Sequence, residues 1–188
     1  MKKYELLEND TITIDGDIKL YRIKACRSFK SGDKTVNEGD LGGYVKSEDN
    51  LSHDGNSWIF GNGKVYGYAT VFGDASVYDE AEVFGNAWIH DYAKVLSNAK
   101  IYEDAEVCGK AQVFGNAEVF GTADVYDVAL ISGHAKIYGD AQVLDNAKVY
   151  DYSKIYDYAI ILDNAKVYGN AVISGDTEVS GNTEVCSH

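Results

Sequence analysis

The chain has 188 residues, the length of one ordinary domain with a small appendage, and a formal net charge of −13. That balance excludes the basic footprint of a protein binding nucleic acid or an anionic membrane directly. It suits partners that are neutral, cationic, or themselves nucleic-acid-binding proteins.

The N-terminus, Met1-Lys2-Lys3-Tyr4-Glu5, has basic residues but no apolar run behind them, so no signal peptide is read there. Nowhere does an apolar stretch approach the length of a membrane span. Cys26, Cys108 and Cys186 are far apart and outside any Cys-x-x-Cys pair, which reads as reduced thiols in the cytoplasm, with no disulfide frame or zinc motif. Alternating stretches at Thr11–Ile14 and Ile18–Ala25 predict a hairpin turned at Asp15-Gly16-Asp17. A polar loop follows, then Gly39-Asp40-Leu41-Gly42-Gly43-Tyr44-Val45. Both arginines, Arg22 and Arg27, fall in this part. A stack of strands leaves an open edge at each end, so residues 1–58 are assigned as an N-terminal β cap.

From Ile59 to Val185 every sixth residue is Val or Ile, 22 positions without an exception. Four places after each stands a small residue: Gly63, alanine from Ala69 through Ala147, then Ser153, Ala159, Ala165, Ala171, Thr177 and Thr183. A period of six fits neither a helix nor a plain strand. It fits a coil in which a short strand and a sharp bend alternate three times per turn, with Gly and Asn/Asp supplying the bends and the β-branched residue pointing inward. Residues 59–188 are therefore an all-β parallel β-helix of about seven coils, on the order of 35 Å tall at about 4.8 Å per coil. Each coil buries its apolar side only by stacking on the next, and the interior is full. The hexads stop in mid-repeat at Glu184-Val185-Cys186-Ser187-His188, which leads us to expect an unpaired edge and homo-oligomeric pairing.

Residues 18 apart lie above one another in such a coil. One column then reads Tyr66, Phe84, Tyr102, Phe120, Tyr138, Tyr156, an outward row of six aromatic rings ended by Ser174. Stacked rings stabilise neighbouring strands by themselves, and a stripe of this length also suits a protein interface or, less readily, small planar ligands. A second column places Asp127, Asp145 and Asp163 together, with Asp151 and Asp157 at neighbouring corners. These are solvated bends, a calcium site, or part of a negative rod that competes with DNA for a basic protein.

The hexad V-(Y/F)-(G/D)-(N/D)-A-x resembles the repeat [LIV]-[GAED]-x-x-[STAV]-x of the left-handed β-helix acyltransferases, although an aromatic residue here usually replaces the glycine after the aliphatic one. The strings Leu41-Gly42-Gly43-Tyr44-Val45, Leu51-Ser52-His53-Asp54-Gly55-Asn56 and Ser57-Trp58-Ile59 look like those of the YdcK-like proteins of bacteria and phages, described as acyltransferases on fold alone. The resemblance implies left-handed winding, although parallel crossovers are generally right-handed. It also implies a bacterial or phage setting and, as one functional alternative, acetyl-CoA-dependent acyl transfer at a cleft between subunits. Under that alternative a histidine is the general base, and His90 and His134 are the candidates. His90 follows Ile89 on an outward place and His134 sits in a bend, with no loop beside either to build a pocket. Carrying the register backward puts His53 at an inward place of a first, irregular coil, hydrogen-bonded to capping backbone. The favoured reading is a non-catalytic binding or scaffold protein that acts on a protein target and on itself through an acidic, aromatic-striped surface, with no cofactor.

Overall fold

The computed structural model describes residues 2–187, so His188 of the chain end lies outside the described residues. β1 (Tyr4–Ile14) and β2 (Ile18–Ala25) form the expected antiparallel hairpin, closing on the pair Ile14 and Ile18. Its turn residues Asp15 and Gly16 both take positive φ, the backbone a tight hairpin turn demands. A small hairpin, β3 (Phe29–Ser31) and β4 (Lys34–Val36), follows, and then β5 (Leu41–Val45). β5 pairs antiparallel with β2 on one side and parallel with β7 (Lys64–Val65) on the other.

After β6 (Trp58–Ile59), β7 and β8 (Thr70–Val71), the chain runs to Ser187 as short strands joined by tight bends. Together they make a parallel β-solenoid of about eight turns with three faces. Face one stacks the strands containing Val45, Val65, Val83, Ile101, Val119, Ile137, Ile155 and Ile173, with β1 and β2 added at its top. Face two runs from Val71 through Ile89, Val107, Val125, Val143 and Ile161 to Val179. Face three runs from Ile59 through Val77 and Val95 down to Val185. Partners are 18 residues apart, as in Glu82 with Lys100, so each surface position repeats directly above its counterpart.

The core is one continuous apolar column. From Ile59 to Val167 the inward valines and isoleucines are fully buried, as are the alanines at the corners. The corners place glycines and aspartates, with Ser97 and Glu103, in the left-handed backbone region. Gly121 illustrates the constraint, because a Cβ there would meet the Gly139 nitrogen at 2.7 Å.

The parallel ladder begins earlier than the Ile59 boundary read from the hexads, because Tyr44 and Val45 already pair with Lys64 and Val65, and Leu51 bridges Val71. Those pairs are offset by 20 residues, whereas Trp58 pairs with Ser76 at an offset of 18. Two extra residues therefore lie between Leu51 and Ile59. This corrects the backward extension of the register: the inward place belongs to Leu51, which is fully buried, and His53 is only half-buried. Its Nδ1 still accepts a hydrogen bond from the Lys3 backbone N–H (3.3 Å), and its ring stacks on Tyr4 at 4.3 Å.

The N-terminal segment packs into and over the first turns. Tyr4 and Lys3 are fully buried. The Tyr4 hydroxyl donates to the Leu51 carbonyl (2.7 Å), and the Lys3 ammonium donates to the Ser57 carbonyl (2.9 Å) and Oγ (3.1 Å). The first hairpin lies on face one, where Leu20, Ile12, Ile14 and Ile18 cluster with Tyr44 and Tyr66. The second reaches face three, where Ser31 and Ser76 share a hydrogen bond and the Lys34 ammonium sits over the Phe60 and Tyr78 rings at 4.9 and 4.8 Å.

Candidate functional site

The column of six rings assembles on face one as a parallel stack. Tyr66, Phe84, Tyr102, Phe120, Tyr138 and Tyr156 follow one another at centroid separations of 5.1, 4.9, 4.8, 4.9 and 4.9 Å, with neighbouring planes within 7°. Parallel strands impose this spacing, and each residue immediately follows an inward Val or Ile, so its ring leans on the ring of the coil above. The rungs are not equally available. Tyr66 is buried beneath the β1–β2 hairpin and Phe84 packs against that cluster, whereas Tyr102 through Tyr156 are half-buried. Sequence reasoning missed the most exposed aromatic side chains, Tyr68, Tyr158, Tyr152, Tyr92 and Trp88. Apart from Trp88, these occupy bends, three places after an inward residue, and that position was the available signal. Tyr152 and Tyr158 occupy the bends on either side of the strand that leads to Tyr156, so the lower part of face one carries exposed rings at both its corners, with Lys154 between Tyr152 and Tyr156.

Beside the stack runs a ladder of opposite charges. Lys64 pairs with Glu82 (3.2 Å), Glu82 with Lys100 (3.7 Å) and Glu118 with Lys136 (2.9 Å). The Tyr102 hydroxyl donates to Glu118 (3.0 Å), so burial and then this bond raise the phenol well above its usual range. Burial of Glu118 works against its charge, but hydrogen bonds from Lys136 and Tyr102 outweigh it and hold the carboxyl below its ordinary value.

The acidic column has a structural occupation. Asp127, Asp145 and Asp163 all take φ between 55° and 58°, and each carboxylate accepts the backbone N–H of the corner one coil below. Asp127 accepts from Asp145 (3.4 Å), Asp145 from Asp163 (3.2 Å) and Asp163 from Gly181 (2.9 Å). Asp151 and Asp157 do the same for Gly169 and Gly175 at 3.1 Å. One oxygen of each is thereby committed to the backbone.

The two histidines of the repeat lie apart, on different faces. His134 is an exposed bend residue whose ring stacks on Tyr152 at 4.8 Å, above a shallow groove that includes Lys136 and Lys154. His90 is half-buried on face two, stacked on Phe72 at 4.7 Å, with Nε2 2.9 Å from Glu106 and Nδ1 3.4 Å from Asp91. Cys108, one coil below His90, completes a group whose donor atoms lie within 4.8 Å of one another. Burial and then Glu106 push its thiol up to about 12, and burial and then Glu106 also raise Asp124. Linear cysteine spacing hid this group. The signal lay in the coil register, where 90 and 108 share a column and 106 precedes the latter by two.

Fold and surface together define a parallel β-solenoid whose outward positions form continuous ladders of rings and charges. No protein-family model matches this chain, and no curated protein matches it. Among the described residues no helix is long and apolar enough to cross a membrane.

Proposed function

We propose that this chain is a non-catalytic binding or scaffold protein that engages a cationic protein partner along the aromatic stack of face one and associates with further copies of itself. The observation that carries this reading is the chain's own treatment of its first aromatic rungs. The β1–β2 hairpin buries Tyr66, the first rung, and on the turns around it cationic groups lie over other aromatic rings, Lys34 over Phe60 and Tyr78 on face three and the Arg22 guanidinium over Tyr44 beside the stack at 4.3 Å. The rungs from Tyr102 to Tyr156 continue the Tyr66 column without such a cover among the described residues. A basic segment laid over them gains cation–π contacts and meets the acidic corners, in keeping with the net charge of −13.

Within this proposal the solenoid winds left-handed and belongs to the hexapeptide-repeat class, the hairpins that precede the parallel ladder act as its β cap, and the protein works in a bacterial or phage-infected cytoplasm. The hexad pattern and the three thiols, none in a disulfide, support these finer points. Acyl transfer is the competing reading, with His90 or His134 as base and acetyl-CoA as donor. The near-contact of His90 with Glu106 and Asp91 supplies an orienting partner for an imidazole.

The test is co-purification from bacterial lysate with mass spectrometry, followed by titration of the purified partner. Tyr102→Ser with Phe120→Ser should weaken binding at least tenfold and change the light-scattering mass, whereas Tyr126→Ser on face two should do neither. Unchanged affinity and mass in the double variant would remove the proposal. A saturable acetyl-CoA thermal shift lost in His90→Ala or His134→Ala would replace it with the enzyme.

A further inference from the structure

We infer that face two carries a binding site for a divalent transition-metal ion of the zinc type, with His90 Nε2, Glu106 Oε1 and Cys108 Sγ as its protein ligands. The three donor atoms lie within 4.8 Å of one another, and His90 Nε2 and Glu106 Oε1 are 2.9 Å apart. A tetrahedral ion with bonds of roughly 2.0–2.3 Å holds its donors about 3.5 Å apart, so small side-chain rotations close the set around one ion. Nitrogen, sulfur and carboxylate oxygen together match zinc better than the hard, all-oxygen calcium or magnesium ions.

The imidazole is already aimed. Phe72 stacks on its face at 4.7 Å and 12°, fixing the ring plane. Asp91 Oδ2 lies 3.4 Å from Nδ1, near enough that a small side-chain rotation would let it take the N–H and leave Nε2 free for the metal. Asp91 is itself anchored, because its Oδ2 accepts the Gly109 backbone N–H at 3.3 Å. A carboxylate behind a ligating histidine is the outer-shell arrangement that fixes tautomer and orientation.

Charge argues for the same cation. On faces one and three the strand carboxylates Glu82, Glu118 and Glu184 each pair with a lysine. Face two has no lysine on its strands from Thr70 to Val179, and Glu106 and Asp124 occupy adjacent rungs in register. Their neighbours Asp91 and Cys108 add further potential negative charge. An ion bound here takes the place that lysine fills elsewhere, and the thiol proton leaves to solvent as the sulfur ligates.

The test uses the full chain dialysed against zinc, then loaded with cobalt(II). The wild type should retain one zinc per chain and, with cobalt, show sulfur-to-metal charge-transfer absorption in the near ultraviolet. Cys108→Ser should abolish that absorption, and His90→Phe should weaken zinc binding at least tenfold. Asp91→Asn should weaken it by roughly 10–100-fold, and Cys186→Ser should leave it unchanged. The same column holds Phe72, Tyr126 and Leu144, so these variants should keep their fold, and circular dichroism verifies that they do. Zinc retention no greater than that of the Cys108→Ser, His90→Phe double variant, or a charge-transfer band that survives Cys108→Ser, would overturn the inference.

Discussion

Replacing Asp145 tests whether the acidic corners serve the backbone or a cation. The residue sits at φ 55°, accepts the Asp163 N–H at 3.2 Å and lies between two like-charged corners, Asp127 and Asp163. Asp145→Ala removes an acceptor worth about 0.5–1.5 kcal/mol, and because aspartate already occupies the left-handed region only part of that region's cost of about 1–2 kcal/mol is added, a loss of roughly 0.5–2.5 kcal/mol. Asp145→Gly loses the same hydrogen bond but relieves the backbone, so it should cost less than the alanine variant. Asp145→Asn keeps a carbonyl acceptor and removes repulsion of about 0.8 kcal/mol per neighbour at ~5 Å in water, less in salt. The expected order of stability in low-salt urea unfolding is Asn at or above wild type, then Gly, then Ala. If Asn falls as far as Ala, or if calcium raises the wild-type midpoint and not that of Asn, the carboxylate charge is needed and the backbone account fails.

Two further tests address the N-terminal junction. Gly43→Ala should cost at least about 2 kcal/mol, since the added Cβ would lie 2.3 Å from the Gly63 carbonyl oxygen and 2.4 Å from Ile59 Cγ2; a midpoint within about 0.5 kcal/mol of wild type would refute the close approach. Burial lowers the Lys3 ammonium from 10.5 to about 8, so between these values the unfolded chain binds more protons than the native one and the Lys3 contribution to stability rises with pH. Measured as wild type minus Lys3→Met from pH 8 to 10.5, that rise is at most about 3 kcal/mol; a flat or falling difference refutes it.

Most of the architecture was legible because one constraint repeats. An inward β-branched residue every sixth position and a small corner residue can be satisfied only by stacked coils, and the aromatic column follows from counting 18. What escaped the reading lies where that count breaks. The two residues added before Ile59 move the inward place from His53 to Leu51, and no pattern in the hexads announces them. The cover over Tyr66 was equally hidden, because it depends on where a hairpin distant in sequence comes to rest. The group of His90, Glu106 and Cys108 needed both the column and the strand place before it, a diagonal that reading single columns does not sample.

The 18-residue repeat also constrains how the chain can change length. Six residues inserted below Phe84 would leave the buried column continuous, yet would carry every later side chain round to the next face. The aromatic row would then be cut into two segments on different sides of the prism. Eighteen would lengthen the row by one rung and disturb nothing else. Gains and losses that preserve this surface therefore come in whole turns, whereas those that preserve only the buried column come in thirds.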